Sequence, residues 1–458
     1  MTFDQAYNYI LSLNNLPRKE YMADPRHCGW YLKRLQFFLD ILGNPERKIP
    51  HYIHVTGTSG KGSVTAYMHS ILHASGKKVG STYSPHPTII TERWKIGNKF
   101  MTKKEFVQLV EYIKPKLDEY TATTPYDALS FFEITEAIGF LYFAKHNVKW
   151  AVLEVACGGR YDASNIIPWK DIAVITNIGL DHVGLIGNNK SEIAYEKAGI
   201  IKRGCTFFST EKDKRIINVL TREAKKILNI KDIRILNDIK YPNITISKYH
   251  NIPISGTNFT YKDAIYHLPT IGTHQIQNSI LCIEIAKHLH IPQHAIKRGL
   301  SQVKQPLRME IVSHNPLVIL DGAHNPDKMR TTVETTKTLQ KQKNILPLGG
   351  GERGSKNIHL VVGFSGDKNI PNMVKQLATV KPKSIAVTRN TTNPFRKVAD
   401  LQLVARQFKK LLPKSKIKLF LEPSKALLWT KKIAKTHDII LATGSIFVSG
   451  ELRGQTNG

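Results

Sequence analysis

The sequence predicts an α/β protein with two domains. Apolar, β-branched runs alternate with stretches of helical period along the whole chain, which is the pattern of parallel strands joined by crossover helices. One such run leads into a glycine-rich turn that carries a lysine. The 458 residues amount to about three typical domains in length. We therefore expect a P-loop-type domain with a mostly parallel sheet, followed by a smaller Rossmann-like α/β domain.

Nine segments have the composition of buried strands, and turns rich in Gly, Ser or Thr follow most of them, where doubly wound sheets place ligands. They are residues 52–55, 78–82, 150–155, 172–177, 317–320, 358–362, 384–387, 417–420 and 439–442. Short alternating segments between residues 237 and 268 predict antiparallel hairpins near the end of the first domain. We place the boundary near Val303, which gives domains of residues 1–302 and 303–458.

The chain carries a strongly positive charge. Lys and Arg number 66 against 36 Asp and Glu, a net charge of +30, and from Thr335 onward 23 basic residues face 6 acidic ones. Such asymmetry can indicate nucleic acid. The lysines are nevertheless spread through helix-like segments without a recognition motif. A solvated basic surface that attracts polyanionic substrates is the favoured interpretation, and no dedicated nucleic-acid partner is expected.

The cysteines and the N-terminal segment bear on the cellular compartment. The four cysteines lie far apart without a CxxC pair, which argues against a zinc ribbon and against a disulfide framework. The segment MTFDQAYNYILSLNN has no basic n-region or cleavage site, and no run of 18 apolar residues follows it. We expect a soluble cytoplasmic protein without a membrane partner.

The strongest local motif is a glycine-rich loop between a strand and a helix, within HYIHVTGTSGKGSVTAYMHSILHASG. Its phosphate-binding candidates are Thr58, Ser59, Gly60, Lys61, Gly62 and Ser63. Glycines let backbone N–H groups face phosphate oxygens, Lys61 can meet the β- and γ-phosphates, and Ser63 can reach Mg²⁺. The loop departs from GxxxxGK[ST], because only two residues separate Gly57 from Gly60 and because Gly62 separates Lys61 from Ser63. A glycine-rich turn with a chance lysine is the disfavoured alternative.

Two further strand ends carry candidate metal ligands. Glu154 ends the apolar run AVLEV, and Asp181 with His182 follows AVITN. Carboxylate and imidazole groups at adjacent carboxyl-terminal strand ends can share a cation beside nucleotide phosphates. Each residue also has an ordinary explanation, because a strand-end Glu is often an ion-pair partner and a lone His is more often a satisfied polar residue than a ligand.

Ten blocks occur in a specific order: HVTGTSGKGS, YSPH, TERWKI, SFFEIT, LEVACGGRYDASN, TNIGLDHVGLIG, EKAGIIK, GTHQIQN, LVILDGAHNP and LATGSIF. With these blocks, nearly the whole chain resembles the folylpolyglutamate synthase and dihydrofolate synthase family of the Mur ligase superfamily. The resemblance implies that ATP phosphorylates a carboxylate. The amino group of an incoming amino acid then attacks the acyl phosphate, giving an amide, ADP and phosphate.

The resemblance also implies individual roles. Besides the loop residues Thr58 to Ser63, the implied ATP contacts are Asn278, Arg308 and Asp321, with His324 facing the phosphates from the second domain. The implied Mg²⁺ ligands are Ser84, Glu154 and His182, together with Ser63 of the loop. Lys61 and His324 are the implied catalytic residues, along with Lys197.

The lysine of the EKAG block, Lys197, is carbamylated in the family that the chain resembles, and it then helps to hold a second Mg²⁺. This fits the chemistry, because two divalent ions beside a triphosphate need more negative ligands than Glu154 alone. Considered in isolation, Lys197 is better explained as a helix-surface lysine paired with Glu192 or Glu196.

The pterin end of the substrate is implied to contact Ser130, Phe131, Phe132 and Glu133, with Tyr161 at the next position. A stacked aromatic side chain and a hydrogen-bonding Glu suit a flat ring that is rich in amide groups. The same segment, FFEITEAIGFLYF, also has the pattern of an amphipathic core helix, and both interpretations can hold.

We therefore expect a monomeric, ATP- and Mg²⁺-dependent ligase that adds L-glutamate to dihydropteroate, to a reduced folate, or to both. A Mur-type ligase for another carboxylate is the first alternative, although about fifty residues precede the loop and cell-wall members usually carry a UDP-binding domain there. A nucleic-acid-stimulated P-loop NTPase is the second, and it leaves the DH, EKAG and DGAHNP blocks without a role. Ser59, Pro87, Cys157 and Leu307 depart from the family pattern and leave the exact substrate open.

Overall fold

The computed structural model describes residues 1–15, 28–181, 183–227, 229–230, 232–238, 245–249, 252–341, 356–392 and 397–456. The chain forms two compact units. The first comprises Met1–Lys240 with Gln277–Val303, and the second Tyr241–Ile276 with Lys304–Gly458. The hairpin segment, which the sequence analysis placed in the first domain, thus groups with the second unit. The ranges 1–302 and 303–458 stay predictions.

The first unit is built on an eight-stranded sheet of order β4-β3-β2-β5-β1-β6-β7-β8. The strands are β1 His51–Thr56, β2 Val79–Thr82, β3 Trp94–Ile96, β4 Lys99–Phe100, β5 Trp150–Glu154, β6 Ile172–Ile175, β7 Thr206–Ser209 and β8 Asp232–Ile235. β3 pairs antiparallel with β2 and β4, and the other pairs are parallel. This sheet is the mostly parallel one that the apolar runs predict.

Helices accompany these strands. They are α1 Phe3–Ser12, α2 Trp30–Ile41, α3 Lys61–Ala74, α4 Lys103–Thr123, α5 Phe131–Lys145, α6 Lys190–Ala198, α7 Lys214–Lys225, α8 Thr273–His288, which reaches from the second unit into the first, and α9 Gln293–Ser301. The central strands β5 and β6 are buried along their whole length, and β1 is buried from its second residue on. Burial on both faces explains why these strands have continuous apolar runs instead of alternation.

The second unit contains two sheets. The three-stranded antiparallel sheet has the order β11-β10-β9, with β9 Thr245–Tyr249, β10 Ile252–Tyr261 and β11 Ala264–Leu268. The six-stranded sheet has the order β12-β13-β17-β14-β15-β16. Its strands are β12 Glu310–His314, β13 Leu317–Leu320, β14 Ile358–Val362, β15 Ser384–Val387, β16 Lys416–Leu419 and β17 Ile439–Thr443. Only β12 is antiparallel to its neighbour among the pairs of this sheet that the described residues form.

The helices of the second unit are α10 Pro326–Lys341, α11 Ile370–Ala378, α12 Leu401–Leu411, α13 Pro423–Ile433 and α14 Ile446–Thr456. Strands and helices alternate from β13 to α14, as in a doubly wound sheet. All nine predicted strands are present, with ends that differ by one or two residues at most. The predicted α/β fold class is confirmed.

Parallel pairing decides where the functional loops lie. In the first unit β2, β5, β1 and β6 are neighbours, with Val55 opposite Glu154 and Thr56 opposite Ile175. Because parallel strands end at the same edge of a sheet, the segments that follow these strands meet there. In the part of the chain that the structure describes, no helix combines the length and apolar character needed to cross a membrane.

Candidate active site

The loop between β1 and α3 has a conformation that requires glycine at two positions. Gly57 has φ +142°, and a Cβ atom there would lie 1.8 Å from Oγ1 of Thr176. Gly60 has φ +86°, and its Cβ atom would lie 2.6 Å from Oδ1 of Asn278. Residues with side chains rarely adopt such φ values. The close approach also shows that Asn278, a predicted ATP contact, lies against the loop.

The loop is fixed by the segment that follows β6. The Thr58 amide donates to the carbonyl of Asn177 at 2.8 Å, and the Ser59 amide donates to its side-chain Oδ1 at 2.9 Å. The Thr176 hydroxyl donates to the Ser59 carbonyl at 2.6 Å. These bonds use the amides of Thr58 and Ser59, so the start of α3 supplies the donors that remain for an anion.

The first turn of α3 is open to an anion. Gly60 is the N-cap of this helix, and no side chain caps it. The first N–H groups of a helix have no partner within the helix and carry a partial positive charge. Lys61, the first helical residue, donates from Nζ to the Gly57 carbonyl at 2.9 Å, and Ser63 is buried in the same turn. This arrangement suits phosphate oxygens.

Glu154 and Ser84 come together at the same sheet edge. Glu154 is buried, and its Oε2 accepts the Ser84 amide at 3.1 Å. A carboxylate with nearby hydroxyl groups is a hard oxygen ligand set of the kind that Mg²⁺ prefers. His182, the third predicted ligand, lies outside the described residues. Within the described residues, no three His, Cys, Asp or Glu side chains form a group that could hold a metal ion.

Lys197 in the last turn of α6 is buried, with 2% of its surface exposed. Burial, and next the charge of Lys61, lower its pKa to about 8, while Cys157, Asp181 and Asp162 act in the opposite direction. The alternative that the sequence favours for Lys197 in isolation is therefore wrong. This residue is not a surface lysine paired with Glu192 or Glu196. Lys197 lies close enough to the phosphate loop for Lys61 to repel its charge.

The predicted pterin residues lie at the start of α5. Ser130 is the N-cap, and its amide donates to Oε2 of Glu133 at 2.8 Å. Phe131 packs against the core, whereas Phe132 is 47% exposed. Tyr161 is partly buried, and burial is the main cause that raises its pKa. The exposed ring of Phe132 is compatible with a flat ligand.

Glu133 has a structural partner that the sequence analysis did not find. Arg34 in α2 is fully buried and donates to both carboxylate oxygens of Glu133 at 2.7 Å, and to Asp127 at 3.0 Å. The Glu133 carboxylate therefore accepts three hydrogen bonds within the protein. Its predicted contact with the substrate stays a prediction, and its role in fixing the start of α5 is a finding.

The second unit holds the remaining predicted residues at the end of β13. Asp321 accepts the amides of Met309 at 3.1 Å and Ala323 at 3.0 Å, and the hydroxyl of Thr332 at 2.7 Å. Leu307 and Met309, which flank Arg308, have φ values of +55° and +52°. Residues with side chains rarely adopt this left-handed conformation. The buried Asp321 thus fixes the turn that presents Arg308.

His324 is held as a neutral imidazole. Burial, and next the charge of Lys328, lower its pKa well below its usual value. Nδ1 lies 2.8 Å from the Gly322 carbonyl and Nε2 lies 3.1 Å from Nζ of Lys328. The Nδ1–H group therefore donates to the carbonyl, and Nε2 accepts from the lysine.

Known families match most of the chain. Residues 55–286 match the Mur ligase middle domain, and residues 307–446 match the Mur ligase glutamate ligase domain. The dihydrofolate synthase/folylpolyglutamate synthase of Bacillus subtilis (strain 168) is 34% identical over 361 residues, which cover 76% of this chain and 79% of the relative. The chain belongs to the folylpolyglutamate and dihydrofolate synthase family of Mur ligases.

Further comparisons extend the match. The folylpolyglutamate synthase of Lacticaseibacillus casei is 30% identical over 390 residues, covering 82% of this chain and 83% of the relative. The Mycobacterium tuberculosis folylpolyglutamate synthase complexed with ADP and AMPPCP has a TM-score of 0.80 at 26% identity, covering 93% of this chain and 95% of that one. The predicted family and activity class are confirmed, and the chain is an ATP-dependent glutamate ligase of the folylpolyglutamate and dihydrofolate synthase type.

Within this family member, the first unit gathers most of the predicted site at one sheet edge. The structure places the phosphate loop, Asn278, Ser84, Glu154 and Lys197 at or beside that edge. Three buried charged residues at α5 were not predicted from the sequence: Arg34, which pairs with Glu133, Arg93, which contacts the rings of Phe131 and Phe132, and Glu136 within the helix. Arg93 lies in TERWKI, one of the ten blocks. The sequence therefore marked this position, but it did not indicate what the side chain does.

Proposed function

We propose that this chain adds L-glutamate to dihydropteroate, to a reduced folate, or to both, through an acyl phosphate formed at the loop between β1 and α3. The observation that carries the assignment is the uncapped start of α3, with Lys61 as its first residue, at the edge where Glu154 ends β5. An anion site beside a buried carboxylate suits a nucleotide triphosphate with its metal ion.

In the proposed reaction, the N–H groups of the first turn of α3 and the ammonium of Lys61 bind the phosphates of ATP. The substrate carboxylate forms a bond to the γ-phosphorus, and ADP leaves. The amino nitrogen of glutamate then attacks the carbonyl carbon, phosphate leaves, and the nitrogen loses a proton. Asn278, Arg308 and Asp321 are proposed as further ATP contacts, with His324 facing the phosphates.

Mg²⁺ is proposed to bind at Ser63, Ser84, Glu154 and His182. The buried Glu154 carboxylate and the serine hydroxyl groups fit this ion, which takes hard oxygen ligands. When bound, Mg²⁺ neutralises phosphate charge and so favours attack by an anionic carboxylate. The chain's own contribution is to hold these oxygens at the edge of the sheet, beside the phosphate loop.

Lys197 is proposed to carry a carbamate that serves a second Mg²⁺. A neutral amine attacks CO₂, the new N–C bond forms, and the nitrogen releases a proton. A pKa lowered to about 8 supports this step, since a sizeable fraction of the amine is then neutral near physiological pH. Conversion of the buried cation to an anion also removes the repulsion from Lys61.

Ser130, Phe131, Phe132, Glu133 and Tyr161 are proposed to border the pterin. The strongest support is the ring of Phe132, which is 47% exposed and lies edge-on to Phe131 with ring centroids 5.8 Å apart, so that it is available to stack on a flat ligand. We propose a monomer, since one chain supplies every predicted site residue. The four cysteines are free thiols, which is compatible with the proposed cytoplasmic location.

The test is a phosphate-release assay with ATP and Mg²⁺ over dihydropteroate, tetrahydrofolate and methylenetetrahydrofolate, each with and without L-glutamate. We expect release that depends on a pteroate or folate and on glutamate. Phosphate release that occurs only with a carboxylate other than a pteroate or folate identifies the Mur-type alternative and contradicts the proposal. Release stimulated by nucleic acid without a carboxylate contradicts it as well.

A further inference from the structure

Arg93 is a buried side chain that lies between two groups of proposed substrate residues. It is 5% exposed and precedes β3, and its carbonyl accepts the Tyr83 amide at 2.8 Å. The next residue along that segment, Ser84, donates its amide to Glu154 at 3.1 Å. The backbone of Arg93 is therefore one residue away from the corner that is proposed to hold Mg²⁺.

The guanidinium of Arg93 also contacts the aromatic rings at the start of α5. Its central carbon lies 5.2 Å from the ring centroid of Phe131 and 5.7 Å from that of Phe132. Such cation–π contacts orient a guanidinium, while its N–H groups can still bind an anion in their own plane. Arg93 thus connects the proposed pterin end of the site with the phosphate end.

Arg93 lacks the partners that a buried cation normally has. Its Nε is buried without a hydrogen-bond partner among the described residues, and no carboxylate in the described ranges forms an ion pair with its side chain. Arg34, the other buried arginine beside α5, pairs with Glu133 at 2.7 Å and with Asp127 at 3.0 Å. Because burying an unpaired charge is costly, Arg93 is suited to an anion that comes from outside the protein.

The nearby acidic residues leave Arg93 available. Glu136, one helical turn after Phe132, is buried, and its Oε2 also has no partner among the described residues. Burial and the charge of Asp162 raise the pKa of Glu136 to about 8, although Arg93 acts against them. Glu136 is therefore mostly protonated near neutral pH. Glu154 is the other carboxylate that acts on Arg93, and the Mg²⁺ ion proposed to bind there would offset its charge.

We propose that Arg93 binds the carboxylate of the substrate that becomes phosphorylated, and holds it between the Phe131–Phe132 pair and Glu154. The inference rests on the proposed function, which supplies the carboxylate. A guanidinium can bind both oxygens of a carboxylate and stays protonated throughout. It therefore orients the carboxylate for attack on the γ-phosphorus without taking a proton from it.

The test compares two ligands that differ only in this group: dihydropteroate, and its carboxamide in which the carboxylate is replaced. Titration calorimetry with a nonhydrolysable ATP analogue and Mg²⁺ gives the affinity of each for the wild type and for Arg93→Met. We expect Arg93→Met to lose about tenfold to a hundredfold in affinity for the acid. Its affinity for the carboxamide should stay within about twofold of the wild type.

Lys95→Met is the matched control for the loss of one positive charge. Lys95 lies two residues further along, with its ammonium 5.8 Å from the ring centroid of Phe100. We expect this variant to keep the wild-type ratio of acid to carboxamide affinity. Arg93→Lys keeps the charge without the planar fork, so it should lose about threefold to tenfold for the acid only. If Arg93→Met shows no cooperative unfolding transition and is therefore not folded, Arg93→Lys takes its place in the comparison.

Equal losses for the acid and the carboxamide overturn the proposal and assign Arg93 a purely structural role. An unchanged affinity for the acid overturns it too, as does a Lys95→Met variant that loses affinity for the acid as strongly as Arg93→Met. A wild type that binds neither ligand contradicts the proposed function itself. Failure of the proposed function is visible in the wild-type titrations alone, so it can be distinguished from failure of the proposal for Arg93.

Discussion

The charge of Lys61, at the start of α3, acts on the buried Lys197 in the last turn of α6. Burial is the larger cause and the repulsion from Lys61 the second, and together they lower the pKa of Lys197 to about 8. Two neighbouring lysines repel each other when both are charged. The repulsion ends when Lys197 loses its proton, and the proposed carbamate would keep the nitrogen uncharged as long as the adduct persists.

The CO₂ adduct at Lys197 should increase as the pH rises through about 8. The sign follows from the reacting form, because the ammonium below the pKa has no lone pair and the neutral amine above it attacks CO₂. Native mass spectrometry with peptide mapping, at constant dissolved CO₂ from pH 6 to 9, measures the occupancy.

Lys202 is the internal control for this experiment. Burial also lowers its pKa to about 8, but its ammonium donates to the carbonyls of Asn165, at 2.7 Å, and Ile167. We expect no adduct there. Occupancy at Lys197 that is flat over the range, or equal occupancy at Lys202, contradicts the proposed modification.

Lys61→Met should reduce turnover by more than about a hundredfold, because it removes a cation from the proposed β- and γ-phosphate site. It should also raise the pKa of Lys197, so that the pH at which half of the adduct forms moves upward. The side chain donates only to the loop carbonyl of Gly57 among the described residues, and the thermal unfolding midpoint should change little. Near-normal turnover contradicts the loop assignment.

Lys197→Ala should be inactive in buffer without small carboxylates, and formate or acetate should restore part of the activity by replacing the missing anion. The rate of ADP release as a function of formate concentration measures the rescue. Lys202→Ala, which removes a partly buried lysine whose pKa is also lowered to about 8, should show no dependence on formate. Full activity of Lys197→Ala without any addition excludes a role for the carbamate.

The fold could be predicted because its signals are local. A buried parallel strand is a continuous apolar run that ends in a turn, and all nine such runs became strands. β3 and β4 could not be predicted in this way, since they have only three and two residues, too few for a periodic pattern. The assignment of Tyr241–Ile276 to the second unit depends on packing that has no counterpart in the local sequence.

The site was predictable where a loop conformation determines the residue types, as at Gly57 and Gly60. It was not predictable where packing between distant segments decides. Arg34 and Glu133 are 99 positions apart, and nothing in either segment indicates the other. The burial of Lys197 could not be predicted for the same reason. The loop after β5 packs against the backbone of Lys197, where a Cβ atom at Gly159 would lie 2.9 Å from the Lys197 carbonyl.

Glu154→Gln should raise the Mg²⁺ concentration required for half-maximal activity, because the amide is a much weaker metal ligand than the carboxylate. His182→Ala should act in the same direction. A Mg²⁺ titration of ATP-dependent phosphate release measures both.

Glu133→Gln is the control, since it weakens the buried pair with Arg34 and should lower the free energy of unfolding, by up to about 3 kcal/mol, without a change in the Mg²⁺ requirement. Unchanged Mg²⁺ dependence of Glu154→Gln returns Glu154 to a structural role.

Phe131 and Phe132 should separate into a packing residue and a binding residue, although they are adjacent in the chain. Phe131 packs against the core, so Phe131→Ala should lower the free energy of unfolding by about 2 kcal/mol. Phe132 is 47% exposed, so Phe132→Ala should cost little stability, but it should raise KM for dihydropteroate about tenfold because it removes a stacking surface. The KM for ATP should not change, since Phe132 is not among the proposed ATP contacts. Urea unfolding and steady-state kinetics on both variants test the contrast. An equal loss of stability in the two variants, or a Phe132→Ala enzyme with normal KM for every pteroate and folate, shows that the pterin does not stack on this ring.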